Sequence, residues 1–212
     1  MLEASSFRAG QLTILGSEFS AERLGMKIPR RAIFFGRFQP FHLGHLHVAE
    51  EILNEYDEII FLIGMSSEGY TERNPFTTGE RIEMIRLSME ERGFNLGRVI
   101  TSTLQTLEIH PSSAYHAVLN CPKADAIYTG NPIMFKIFKD IGQKVFSPKL
   151  YMRDQYNGSL IRELMKRRDN RWKDLVPKTV ASYIEEIGGV ERIVAISSRS
   201  EEHIIEKGNH ID

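Results

Sequence analysis

Two histidines three residues apart, His42 and His45, stand in the run GRFQPFHLGH over residues 36–45, with Gly44 between them and Arg37 just upstream. Imidazole N–H groups donate hydrogen bonds to phosphate oxygens, and a guanidinium adds a fixed positive charge with a planar fork of donors. Residues three apart share a face where the chain turns as a helix, so the two rings can converge on one ligand. Gly44 would let the backbone approach that ligand closely, and Pro40 stiffens the loop. The chemistry these residues suggest is anion binding. Other chemistries lack their residues: no GxGxxG follows this stretch, no GxxxxGK[ST] and no HExxH occurs, and no carboxylate accompanies the histidines as a zinc site would want.

The elements that must position these groups are legible on either side. Residues 31–36 (RAIFFG) form a short apolar run ended by glycine, as a buried strand does. Leu46, Ala49, Ile52 and Leu53 recur at helical spacing over 44–56, and residues 58–64 (EIIFLIG) make a second buried strand. Continuous apolar strands around a helix imply a βαβ unit and a parallel sheet. The alternation continues with a helix over 77–92, where Thr77 and Glu80 fit a capping box, a strand over 98–102, and a short helix over 112–119. A strand over 124–129, a helix over 132–140 and a short strand over 144–146 follow. Helices over 160–168 and 177–187 close the pattern, with Trp172 and Leu175 in a turn between them. The expected architecture is α/β: one doubly wound parallel sheet over residues 31–192 with C-terminal helices, preceded by an extension over 1–30 and followed by a polar tail over 193–212. In such sheets ligands bind beyond the carboxyl ends of the strands, where the strand order reverses. The histidine run sits at such an end and at a helix N-terminus, whose unpaired amides and positive dipole favour anions.

Composition narrows the class. The chain has 212 residues, 42% of them hydrophobic, and a net charge of −1. That is enough for one sizeable core, and the balanced charge points to neither nucleic acid nor an anionic membrane as partner. A lone cysteine, Cys121, excludes an intrachain disulfide and suits a reducing compartment. The longest apolar run, 59–65, falls far short of the roughly 20 residues a bilayer span needs. A cytoplasmic protein is expected.

Gly36, Arg37, Phe38, Gln39, Pro40, Phe41, His42, Leu43, Gly44 and His45 together resemble the HxGH signature of the nucleotidyltransferase superfamily, in the form found in archaeal-type nicotinamide mononucleotide adenylyltransferases. Further stretches agree in the same order. Residues 74–81 (NPFTTGER) are similar to that family's NPFTxGER, and 128–132 (YTGNP) to its YSGNP. Residues 175–177 (LVP) and 189–192 (GVER) match its C-terminal helices. The second signature, SGTxIRRRM, corresponds to residues 157–165 (NGSLIRELM), where Asn157 stands for the serine and Glu163 and Leu164 for two arginines. The resemblance implies a Rossmann-like nucleotidyltransferase fold and transfer of AMP from ATP to a nucleotide phosphate with release of pyrophosphate. It implies His42, His45 and Arg162 as catalytic residues. It also implies an ATP site of Gly36, Arg37, Phe38, Gly44, Arg73, Ser159 and Ile161, with Ser159 capping its helix. Mg²⁺ would be held mainly by the ATP phosphates, with no protein ligand. Family members often form homo-oligomers, hexamers among the archaeal ones. A late ISSR stretch, 196–199, lies beyond the expected signature and reads as tail.

The acceptor side departs from the pattern. The family asparagine and tryptophan that recognise nicotinamide fall on His110 and Ser113, with Tyr115 or His116 as a ring if the segment shifts. Residues 64–70 (GMSSEGY) stand where the family has GSAQxSH. Gly130, Asn131 and His110 are the acceptor-site candidates. Three functions stay open: NAD synthesis from nicotinamide mononucleotide; a related transferase with a flavin, pantetheine or sugar phosphate as acceptor or CTP as donor; and a non-catalytic nucleotide sensor.

Overall fold

A computed structural model describes residues 28–105, 111–148 and 156–208, with side chains to residue 198. Five parallel strands form one sheet: β1 (Arg31–Gly36), β2 (Glu58–Gly64), β3 (Val99–Leu104), β4 (Ala126–Thr129) and β5 (Val145–Phe146), in the order β3-β2-β1-β4-β5. The helices are α1 (Leu43–Glu55), α2 (Thr78–Glu91), α3 (Ser112–Leu119), α4 (Pro132–Asp140), α5 (Gly158–Lys166), α6 (Lys178–Glu186) and α7 (Gly189–Gly208).

Successive strand side chains point to opposite faces, and that alternation divides the core in two. Ala32, Phe34, Ile59, Phe61 and Ile63 pack with α1, α2 and the C-terminal helices. Ile33, Ile60, Leu62 and Ile127 pack under α3 and α4 through Ala114, Ala117, Met134 and Phe138. Helices cover both faces, which is why the strands read as unbroken apolar runs rather than alternating ones. The chain runs outward from β1 to β2 and β3, then crosses back to β4 on the other side of β1. The reversal lies between β1 and β4, and a crevice opens there at the carboxyl ends.

Three expectations are corrected. Residues 193–208 are not a tail: α7 continues through Gly208, and Ile193 and Ser197 are buried on its inner side, so the ISSR stretch begins inside a packed helix. Pro177 is the N-cap of α6 rather than its first helical residue. The missing cap comes from α2, where the Glu91 carboxylate accepts from the amides of Lys178 and Thr179 and from the Thr179 hydroxyl. α5 begins at Gly158, and its cap is Asn157, not Ser159.

Candidate active site

His42 is the N-cap of α1. Its Nδ1 accepts from the His45 amide at 3.3 Å, and His45 Nδ1 accepts from the His42 amide at 3.3 Å. This is a capping box built from two imidazoles rather than a hydroxyl and a carboxylate. The rings stack with centroids 3.5 Å apart and planes 18° from parallel. Each Nδ1 spends its lone pair on a backbone amide, so in both neutral rings the proton sits on Nε2. Burial pushes His42 down to about 3, and burial followed by the charge of its neighbour holds His45 well below the ordinary imidazole range. The pair is therefore two neutral Nε2–H donors of fixed tautomer at neutral pH. Gly44 serves this stack: a Cβ there would lie 2.8 Å from Tyr156 Cβ and 3.2 Å from His42 Nδ1. Its first use is to make room for the ring and the tyrosine.

A crevice of about 740 Å³ opens over the pair. From β1 and α1 it is lined by Gly36, Arg37, His42, Gly44 and His45, and from the end of β4 by Thr129, Gly130 and Asn131. Met65 and Arg73, both on the loop after β2, line it too, with Asn157 and Gly158 at the start of α5. Two residues near it have left-handed backbones, Phe38 with φ 55° and Met65 with φ 53°. Such conformations cost energy and persist where the surroundings impose them.

Arg81, fully buried, supplies much of that constraint. Its guanidinium donates to the carbonyls of Arg37 (3.1 Å), Gly64 (2.9 Å), Met65 (3.1 Å), Glu68 (3.4 Å) and Thr77 (3.3 Å) and to the Thr78 hydroxyl (2.8 Å). One side chain thus joins the loops that leave β1 and β2. Gln39 joins the same parts by a two-point bridge, donating to the Phe76 carbonyl at 2.7 Å and accepting from its amide at 3.0 Å. Buried Asn74 accepts from Arg37 Nη1 at 3.4 Å and donates to Glu68. Gln39, Asn74 and Arg81 were not among the sequence-derived site residues. All three lie inside the quoted motifs, which was the signal available.

The electrostatics follow from the crowding. Burial lowers Arg37 from its ordinary value, Arg73 adds to that, and Glu68 opposes it. Arg162 is pushed down to about 10 by burial, then by Arg37 and Arg73. Arg81 also falls to about 10, chiefly by burial. Guanidinia remain charged at neutral pH, so Arg37, on the crevice wall, holds its positive charge at a cost that a bound polyanion would relieve. Arg162 donates to the Gln39 carbonyl at 2.7 Å and to the Ser159 hydroxyl at 3.2 Å, which ties α5 to the histidine loop.

Other expected site residues fare differently. The side chains of Phe38 and Ile161 are buried in the core, so neither reaches the crevice. Ser159 does not cap α5: Asn157 Oδ1 accepts from the amides of Ser159 and Leu160. Asn131 Oδ1 likewise caps α4 through Ile133 and Met134, leaving its amide N–H₂ as the group available to a ligand. His110 lies outside the described residues. Ser113 lines the crevice at 3% exposure, whereas Tyr115 is 58% exposed and, like His116, absent from its wall. No helix among the described residues is long and apolar enough to cross a membrane.

The family model for cytidylyltransferase-like proteins matches residues 33–164. A protein of Aeropyrum pernix with no assigned function is 51% identical over 77% of this chain and 95% of its own length. A nicotinamide-nucleotide adenylyltransferase of Saccharolobus solfataricus is 42% identical over 77% of this chain and 94% of its own. Among solved structures, a bifunctional NMN adenylyltransferase/ADP ribose pyrophosphatase of Francisella tularensis, complexed with AMP and a manganese ion, superposes with a TM-score of 0.61 at 18% identity. The match covers 87% of this chain and 57% of that one, and at such identity it speaks for the fold.

Proposed function

The chain belongs to the cytidylyltransferase-like family of nucleotidyltransferases, and from that membership and the geometry of its crevice we infer that it transfers AMP from ATP to nicotinamide mononucleotide, giving NAD and pyrophosphate. The observation that carries the reading is the His42–His45 stack, a pair of fixed-tautomer imidazoles that line a crevice together with Arg37 and Arg73.

In this reading a 5′-phosphate oxygen of the acceptor attacks the α-phosphorus of ATP in line. A new P–O bond forms, the α–β bridging P–O bond breaks, and its electron pair leaves on pyrophosphate. The nucleophile is already anionic, so no protein base is needed and positioning with charge stabilisation supplies the rate. His42 and His45 donate to the phosphates. Arg37 and Arg73 balance triphosphate charge from the two loops. Arg162 stands with Ser159 at the start of α5, where the departing pyrophosphate collects charge. Gly36, Gly44 and Gly158 bring backbone to the ligand, and Gly130 and the Asn131 amide serve the acceptor. The polar groups of the crevice wall are imidazole, guanidinium, amide and hydroxyl, and among the described residues no group of three His, Cys, Asp or Glu side chains could hold a metal ion. A divalent ion, Mg²⁺ in this proposal, would therefore be held by phosphate oxygens, where it screens their charge. A cytoplasmic setting and a homo-oligomer, a hexamer by family likeness, complete the proposal. Sedimentation of the purified chain tests the last.

The test is product formation with ATP, Mg²⁺ and a panel of acceptors. NAD and pyrophosphate in equal amounts with nicotinamide mononucleotide are expected. Pyrophosphate with another acceptor alone would move the reading to a different transferase, a possibility that buried Ser113 keeps specific. ATP binding with no acceptor turned over would make the protein a sensor. His45→Ala should lower kcat by about 10²- to 10³-fold while ATP binding persists in part.

A further inference from the structure

The first turn of α7 grips the loop that carries Arg73. Gly189 lies where a Cβ would come within 2.9 Å of the Phe76 ring and 2.9 Å of Ile184 Cγ2, so glycine permits the close approach of helix and loop. Arg192, one turn on, pairs with Glu80 through two parallel bonds of 2.7 Å each and donates to the Pro75 carbonyl at 3.2 Å. Its guanidinium lies 4.5 Å from the centre of the Tyr70 ring. The same Glu80 carboxylate accepts from the Thr77 amide at 2.8 Å and so closes the capping box of α2. On the far side, Gln39 of the histidine loop holds the backbone of Phe76. Residues 75–77 are thus clasped between the histidine loop and the C-terminal helix. Arg73, just before them, lines the crevice and has its carbonyl within 3.5 Å of Arg37 Nη1.

We propose that Arg192 is a positioning residue for ATP binding: from α7 it fixes the loop between β2 and α2 so that Arg73 faces the triphosphate. The GVER stretch, which the transferase reading leaves unused, then has a physical purpose in both of its outer residues. Gly189 allows contact and Arg192 locks it. A bidentate, largely buried ion pair is suited to this, because its geometry admits few orientations. The inference rests on the reading of Arg73 as a phosphate contact.

The experiment is steady-state kinetics of the full chain with ATP varied, for the wild type, Arg73→Ala, Arg192→Gln and the double variant. Misplacing a positioned group costs activity steeply, so Arg192→Gln should raise the KM for ATP about tenfold, with a smaller effect on the KM for the acceptor. In the Arg73→Ala background it should add little, since the group it positions is gone. An equal rise in both backgrounds would overturn the proposal, as would a lowered melting temperature with unchanged KM. If Arg73→Ala alone leaves the KM for ATP untouched while NAD is still formed, the phosphate role of Arg73 and this inference fall together and the transferase reading stands. Should Arg192→Gln not fold, Arg192→Lys keeps the charge with a single donor head and should show an intermediate KM. Wild-type KM in a folded Arg192→Lys protein would count against the proposal.

Discussion

His42 and His45 show how much two side chains gain from each other's backbone. Each ring accepts the other's amide, so neither can take a proton on Nδ1 without breaking a cap, and the two rings, 3.5 Å apart, cannot both be charged without repulsion. The consequence for stability has a definite sign. The unfolded chain protonates these imidazoles below their ordinary value of 6.5, whereas folded His42 resists until about 3. Above 6.5 the pair contributes no pH dependence. As pH falls from there toward 3 the unfolded state binds more protons and the folded state loses stability. Urea unfolding at about pH 7 and about pH 5 should show that loss. His42→Asn, which retains a capping acceptor but cannot titrate, should reduce it, leaving the part that buried His45 contributes.

At the scale of elements, helix starts carry the site, and each solves its unpaired amides differently. α1 uses the histidines, α2 the Thr77–Glu80 box, α4 and α5 use Asn131 and Asn157, and α6 borrows Glu91 from α2. At α5 the consequence is concrete. Asn157→Ala leaves the amides of Ser159 and Leu160 unpaired beside Arg162, and should cost about 1 kcal/mol, seen as a lower urea midpoint. Asn157→Ser should recover most of it, since a serine hydroxyl caps about as well. The Glu91 carboxyl shows the balance such caps strike. Burial alone would raise it, but hydrogen bonds from Thr179 and Lys178 outweigh burial and hold it below its usual range.

Across the whole molecule, Arg81 ties loops that the sheet separates. It lies on α2 yet reaches carbonyls beyond both β1 and β2, and among the described residues no carboxylate is bonded to it. Removing it strands several buried carbonyls at once. Arg81→Met should cost about 3 kcal/mol or more in denaturant unfolding, and ATP affinity should fall with it because Arg37 and Met65 both lose their anchors. Arg81→Lys should restore only part of either quantity, since an ammonium offers three donors in place of five.

The elements and their order were legible because buried parallel strands and amphipathic helices leave strong periodic signals: the helix over 112–119 and the helix over 132–140 stand where the sequence puts them. The histidine pair, the arginines and the Thr77–Glu80 cap were legible because residue type and spacing define them locally. What lay hidden depends on contacts between distant segments. Sequence spacing does not reveal that Asn157 rather than Ser159 caps α5, that Phe38 and Ile161 turn into the core, or that α7 runs on to Gly208 with Ile193 and Ser197 buried. Nor does it reveal that Arg192 meets Glu80 across 112 residues of chain. The sequence by itself determined which elements form and which groups can bind phosphate, since propensity and periodicity are local. The tertiary structure alone decided which lone pair, which guanidinium and which backbone carbonyl meet, because those pairings are set by how the two helical layers close on one sheet.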